Sequence, residues 1–189
     1  MREFTDSFLK VLEVEKGLAE NSLLSYNRDL AKYHLFIENR QRLDDITKVT
    51  QRNLRAYVRY LNADNISANS IKRALSCIRT YHKFLVSEGK MDYNPALQVD
   101  TPRVARKLPS VLTVEEIDKI LDFIPKKAPM AMRDLAIFEM MYSCGLRVTE
   151  LCKFKVSNIL WDSEMIRIDG KGDNQRFVPI GPIARTNLK

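Results

Sequence analysis

Apolar residues recur at steps of three and four through nearly the whole first half of this chain, and then the pattern stops at a proline-punctuated stretch. That contrast constrains the fold more than any other feature. Phe4, Phe8, Leu12 and Glu15 outline a first helix, closed by Lys16-Gly17. Asn21 or Ser22 is expected to cap a second, with Leu23, Tyr26, Leu30, Tyr33 and Ile37 on one face. Thr50 can cap a third helix that points Leu54, Tyr57, Val58 and Leu61 inward, and Ser67 opens a fourth that ends at Glu88-Gly89. Four helices with short connections predict a small bundle.

Between Asn94 and Pro109 the chain places Pro95, Pro102 and Pro109 around a basic RVARK segment, which reads as an extended interdomain linker. The expected organisation is therefore a helical domain over 1–93, a linker over 94–110 and a second domain over 111–189. In that second domain Thr113 and Glu116 have the spacing of a capping box for a helix from Val114 to Phe123. Pro129 precedes a further helix, Met130 to Ser143, expected to turn Leu135, Phe138, Met141 and Tyr142 to a core. Three β-prone segments follow, Ile159 to Trp161, Met165 to Ile168 and Phe177 to Ile180, separated by Asp-Ser-Glu and Gly-Lys-Gly-Asp-Asn turns. The fold class expected is mainly α, with a four-helix bundle followed by helices around a small antiparallel three-stranded sheet.

Charge points to a partner. Thirty-one Lys and Arg against 24 Asp and Glu leave a net charge of +7, which suits a polyanion. No acid occurs from Asn65 to Ser87 or from Thr101 to Val114, where Lys72, Arg73, Arg79, Lys83, Arg103, Arg106 and Lys107 all fall. On the fourth helix, Ile71, Ala74, Leu75, Ile78, Tyr81 and Leu85 form an apolar stripe. Asn69, Lys72, Arg73, Ser76, Arg79, Thr80 and Lys83 form the opposite face. A face of one sign with interleaved amides and hydroxyls offers charge to phosphates and hydrogen bonds to base edges; the plain alternative is a cationic surface helix without a ligand. His34 and His82 read as packing residues. Cys77, Cys144 and Cys152 lack any paired short spacing, so neither a zinc site nor a disulfide framework is indicated, and no metal or cofactor is expected. No apolar run approaches the ~20 residues of a membrane span, and a soluble, intracellular protein is expected.

Two residues carry candidate chemistry. In YSCGLRVTELCKF, Gly145 can end one helix in the left-handed conformation, which puts Arg147 where the next begins. Backbone N–H groups there favour an anion, and a guanidinium adds planar donors that match a phosphate. Glu150, three residues on, can orient that guanidinium. In IRIDGKGDNQRFVPI, Lys171 sits between two glycines at a hairpin tip. The spacing is not that of a Walker loop. Such a lysine can protonate a leaving alkoxide or lie on a phosphate, and each residue alone is also compatible with simple solvation.

In combination these segments resemble the tyrosine recombinases, the phage-integrase family, and most closely its bacterial Xer-type members. NSLLSYNRDLAKY is similar to the opening of the family's core-binding domain and NSIKRALSCIRTYHKFL to its fourth helix. NPALQVDTPRVARKLPSVLT resembles the linker, RDLAIFEMMYSCGLRVTELCKFKVSNI the first-arginine motif, and IRIDGKGDNQRFVPI the β-turn lysine. The resemblance implies a C-shaped clamp around double-stranded DNA, a SAM-like core-binding bundle, and recombinase protomers acting as a homo- or hetero-tetramer in the nucleoid-associated bacterial cytoplasm. It also implies a metal-free reaction in which a tyrosine attacks the scissile phosphate, arginines and a histidine stabilise the phosphorane, and the lysine protonates the leaving oxygen. Arg147 then corresponds to the first phosphate-clamping arginine, Glu150 to its support and Lys171 to the general acid. Arg28, Lys32 and Arg176 join the basic residues above as expected DNA contacts.

One departure stands out. After Lys171 there is no His, Tyr or Trp, and the last tyrosine is Tyr142. The His-x-x-Arg box and the nucleophilic tyrosine of the family have no counterpart in these residues. The chain is thus expected to match roughly the first two-thirds of a recombinase, an incomplete catalytic domain included, and to bind DNA without cleaving it. The alternatives are a naturally short, non-catalytic regulator of recombination sites and a helical protein-interaction module.

Overall fold

The structure, a computed structural model, describes residues 2–102, 109–125, 128–170 and 174–188. Four of the residues singled out above, Arg103, Arg106, Lys107 and Lys171, lie outside the described residues. The chain divides into two units, Met1–Lys107 and Leu108–Lys189.

The first unit is built from α1 (Arg2–Val14), α2 (Glu20–Gln41), α3 (Gln51–Ala63) and α4 (Ala68–Ser87). Their shared core takes Phe8 and Leu12 from α1, and Leu30, Tyr33, Phe36 and Ile37 from α2. Leu54, Tyr57 and Leu61 come from α3, and Ile71, Leu75, Ile78, Tyr81 and Leu85 from α4. This is the helical spacing of the sequence turned into contact: each stripe is buried because its neighbours present matching stripes. The Thr50 cap forms with Asn53 as its partner at N3, and the Ser67 hydroxyl accepts the Ser70 N–H at 3.3 Å. The expected cap of α2 is displaced. The helix starts at Glu20, and its first carbonyl is that of Ala19, which accepts from Ser22 and Leu23 at 2.8 and 3.2 Å. Asn21 and Ser22 are already inside it, where an acidic Glu20 suits the positive end of the dipole.

The stretch expected to be an extended linker does not begin as one. Ala96 and Val99 are buried in the bundle core, at 0% and 3% exposure. What docks them is Arg79. Its Nε donates to Ala96 O at 3.2 Å, and its Nη2 to Val99 O at 2.6 Å and to Thr101 Oγ1 at 2.9 Å. Asn94 Nδ2 returns a bond to Arg79 O at 2.9 Å. Carbonyls of a non-helical segment need donors when they are buried, and a guanidinium supplies several in one plane.

Both histidines lie inside this unit as packing residues. His82 is fully buried, with Nε2 2.9 Å from the Tyr33 hydroxyl, and His34 packs at tilted angles against Tyr33 and Tyr81. Burial lowers the pKa of each to about 4.

The second unit carries α5 (Val114–Asp122), α6 (Ala131–Cys144), α7 (Val148–Cys152), strands β1 (Ile159–Leu160), β2 (Met165–Asp169) and β3 (Gln175–Pro179), and α8 (Pro182–Asn187). The capping box of α5 forms in both directions: Thr113 N–H donates to Glu116 Oε2 at 2.9 Å, and Glu116 N–H to Thr113 Oγ1 at 3.3 Å. The sheet is antiparallel in the order β1-β2-β3, with Ile166 paired to Val178 and Ile168 to Arg176. Ile166 and Ile168 alternate inward to meet Met140, Cys144, Leu146, Ile159, Ile180 and Ala184. The inward face of α6 differs from expectation. Phe138 and Tyr142 are 44% and 48% exposed, whereas Ala136, Glu139, Met140 and Cys144 are buried. The helix AMRDLAIFEMMYSC has two apolar stripes at helical spacing, and the smaller residues fit closely against the sheet and α8. Among the described residues no helix is long and apolar enough to cross a membrane.

Two outcomes are expected. Arg79→Ala should lower the stability of the chain to urea by about 2 kcal/mol, since three acceptors lose one charged donor. It should also remove amide exchange protection at Val99, which tracks docking of this segment. The second concerns pH. Each histidine is neutral in the fold and protonates more readily when unfolded, so the stability it contributes is complete above about pH 6.5. That contribution is lost as pH falls towards 4, and thermal unfolding followed between pH 7 and 4 measures it.

Candidate functional site

The corner at Gly145 is set by backbone geometry. Gly145 takes φ +60°, ψ +35° after the last residue of α6, and no atom lies within 4 Å of where a Cβ would stand. The requirement is conformational, because an L side chain is strained in this region even with open space around it. Leu146 then drops into the core at 4% exposure, and this anchor leaves Arg147 outside as the N-cap of α7.

Glu150 sits at the third position of α7, and its side chain is 9% exposed. Its Oε2 accepts the backbone N–H of Arg147 and its Oε1 accepts Arg147 Nη1, both at 2.9 Å. Arg176, on β3, reaches the same carboxylate with both prongs, Nη1 to Oε1 and Nη2 to Oε2, each at 2.8 Å. The hydrogen bonds of Arg176 first, and then the Arg147 backbone N–H, hold the Glu150 carboxyl well below the usual carboxylate range. Two guanidinium charges thus face one carboxylate, and a positive charge remains over. Arg147 is 74% exposed, which leaves that charge accessible to an anion.

The hairpin of β2 and β3 narrows at Gly170, whose N–H donates to Asn174 O at 2.7 Å. A Cβ at Gly170 would come within 2.9 Å of that oxygen, so only glycine fits this neck. Gln175 Nε2 closes the last pair onto Asp169 Oδ1 at 3.0 Å. Lys171 follows Gly170 in the sequence and lies outside the described residues.

The residues expected to face nucleic acid on α4 divide by exposure and partners. Asn69, Lys72, Ser76 and Lys83 are exposed, and neither lysine joins an ion pair among the described residues. Arg79 is not a free cation of this face, because its guanidinium docks residues 96–101. Arg73 Nη2 donates to Asp29 Oδ1 at 3.0 Å while staying 54% exposed. Asp29 is buried, and its burial holds its pKa above the usual value in spite of Arg73. The absence of acids along α4 could not show this, because Asp29 arrives from α2. Arg28 and Lys32 are exposed on α2, with Arg28 Nε donating to Leu24 O at 3.3 Å. Among the described residues no group of three or more His, Cys, Asp or Glu is arranged to hold a metal ion.

Two family models match the chain: "Phage integrase, N-terminal SAM-like domain" over residues 5–89 and "Phage integrase family" over residues 110–189. The chain belongs to the phage integrase family. Among curated members it is 33% identical to tyrosine recombinase XerD of Listeria innocua serovar 6a, over all of this chain and 64% of that protein. The chain therefore spans just under two-thirds of that relative's length. In fold it is similar to a lambda integrase dimer bound to a COC′ core site, with a TM-score of 0.75 and 20% identity over 100% of this chain and 67% of the other. It also resembles a lambda integrase tetramer bound to a Holliday junction, with a TM-score of 0.75 and 20% identity over 99% of this chain and 55% of that one. The sequence places Arg176 among the expected DNA contacts, and the structure adds a partner for it in Glu150. No spacing in the sequence signals it, because Arg176 lies 26 residues from Glu150 and reaches it from the sheet.

Replacing Gly145 by Ala is expected to destabilise the chain by about 1 kcal/mol through backbone strain alone, with no steric clash. Gly145→Asn should cost less, because Asn tolerates this conformation. Urea unfolding of both variants checks the order.

Proposed function

We propose that this chain holds double-stranded DNA for a site-specific tyrosine recombinase and contributes one side of its phosphate-binding site. The observation that carries the reading is Arg147: a guanidinium 74% exposed, steered by one bond from its Nη1 to Glu150 and otherwise facing solvent. A phosphodiester brought to it meets planar donors whose charge does not titrate away. As negative charge builds on the non-bridging oxygens during attack at phosphorus, such donors gain strength, which lowers the barrier. Lys171, five positions before Arg176, is the candidate proton donor to the leaving 5′-oxygen.

In this reading Glu150 is a support, and it takes no proton during the reaction. The basic residues of α2 and α4 bind the duplex, with Lys72 and Lys83 on phosphates and Asn69 and Ser76 available to base edges. Arg28, Lys32 and Arg73 add to the same field. The linker cations Arg103, Arg106 and Lys107 complete the proposed DNA contacts. Recombination by strand exchange needs protomers working on paired sites, so the complete activity is proposed for a tetramer of recombinase subunits. The 189 residues hold no tyrosine after Tyr142 and no His-x-x-Arg sequence. We therefore propose that they bind DNA without forming a phosphotyrosyl link.

Titrating the chain with a labelled duplex at several salt concentrations tests this. Affinity should fall steeply with added salt, and Lys72→Ala should reduce the slope of log K against log salt by about 0.9, the value for one phosphate contact. Affinity that does not respond to salt would sink the DNA reading. On a nicked duplex that traps covalent intermediates, no protein–DNA adduct should accumulate; an adduct would show that the chain carries its own nucleophile.

A further inference from the structure

The geometry points to Arg176 as a positioning residue: it occupies the fork of the Glu150 carboxylate, so that Arg147 is steered by Glu150 without being neutralised by it. The inference rests on the reading of Arg147 as a phosphate clamp and explains how that clamp stays available.

A carboxylate has two oxygens and about four acceptor positions. At Glu150 all four are filled, two by Arg147 (its backbone N–H and Nη1) and two by Arg176 (Nη1 and Nη2). The parallel two-pronged arrangement, which is the strongest a carboxylate can make with a guanidinium, goes to Arg176. Arg147 gives Glu150 a single guanidinium N–H and keeps its others.

Were Arg176 absent, nothing would stop Glu150 from taking Arg147 in the two-pronged mode. The carboxylate lies three residues away on the same short helix and already holds the Arg147 backbone. One positive and one negative charge would then cancel at the corner, and the donors that face a phosphate would be turned inward. With Arg176 present, two positive charges share one negative. The side chain exposures agree with this division: 74% for Arg147, 38% for Arg176 and 9% for Glu150.

There is a second consequence. Arg176 lies on β3, in register with Ile168 of β2, so its bond to Glu150 ties the β2–β3 hairpin to the first turn of α7. The β2–β3 hairpin and the corner bearing Arg147 are thereby joined through one carboxylate, 26 residues apart in sequence from Glu150 to Arg176.

The test uses the 189-residue chain with 15N-labelled arginine side chains and inorganic phosphate as the probe. Arg147 side-chain signals are expected to shift saturably in the wild type. Arg176→Ala should weaken that phosphate affinity roughly three- to tenfold, and Arg176→Lys should restore it only in part, since an ammonium keeps the charge but cannot span both oxygens. In a Glu150→Gln background, the further change Arg176→Ala should have no effect on phosphate at Arg147. Arg176→Gln serves in place of the alanine variant should the latter lose its native amide spectrum.

A loss of affinity that persists in the Glu150→Gln background would make Arg176 a direct phosphate ligand and overturn the inference. Full restoration by Lys would overturn it too, by reducing Arg176 to a charge. Wild-type binding left unchanged by Arg176→Ala or Arg176→Gln overturns this inference alone. The absence of any saturable shift at Arg147 in the wild type removes the clamp reading beneath it as well.

Discussion

Four N–H groups converge on the carboxylate of Glu150, and the local architecture of the second unit makes that convergence possible. Gly145 lets α6 end sharply, Leu146 pins the corner to the core, and α7 begins at once, so Glu150 falls one turn from Arg147. From the other side, Ile166 and Ile168 seat β2 in that core, and the antiparallel register puts Arg176 within reach. The carboxylate costs desolvation to bury, and a lone buried charge here would be unfavourable. Two guanidinium groups remove that difficulty and leave the site positive.

The first unit uses arginine in the same manner for a different end. Arg79 joins α4 to the segment that follows the bundle, through carbonyls and a hydroxyl, and Arg73 joins α4 to α2 through Asp29. Both residues lie on the face that looks most suited to nucleic acid when α4 is drawn by itself. Lys72 and Lys83, with no fork to offer and a strongly hydrated head, remain in solvent. A basic helix face is therefore a mixture of residues that hold the fold and residues free to meet a ligand.

Most of the fold could be read from the chain because it is written locally. The stripes of α1 to α4, the Thr50 and Thr113 caps, the Gly145 corner and the hairpin each depend on residues within one or two turns of one another. What escaped was of two kinds. The inward face of α6 was ambiguous, since Phe138 and Tyr142 form a stripe as regular as Ala136, Met140 and Cys144; close packing chose the smaller residues. The roles of Arg79, Arg73 and Arg176 depend on partners 17 to 44 residues away, and no spacing rule reaches that far. The candidate site was legible as Arg147 with Glu150, which are neighbours on one helix turn. It was illegible as a triad, because the third member comes from the sheet.

This difference separates arginines whose donors are matched within the fold from one whose donors are not. Arg79 meets three acceptors and is partly buried, and Arg176 spends two parallel bonds on one carboxylate. Each has found partners that match the shape of its donors. Arg147 has not: it makes one guanidinium bond, remains 74% exposed, and sits where three other N–H groups already compete for its acceptor. A residue held in place yet left with unspent donors is incomplete in the folded chain alone. An anion that offers several oxygens is the chemistry that would complete it, and the two non-bridging oxygens of a phosphodiester, the ligand proposed for this corner, offer that chemistry.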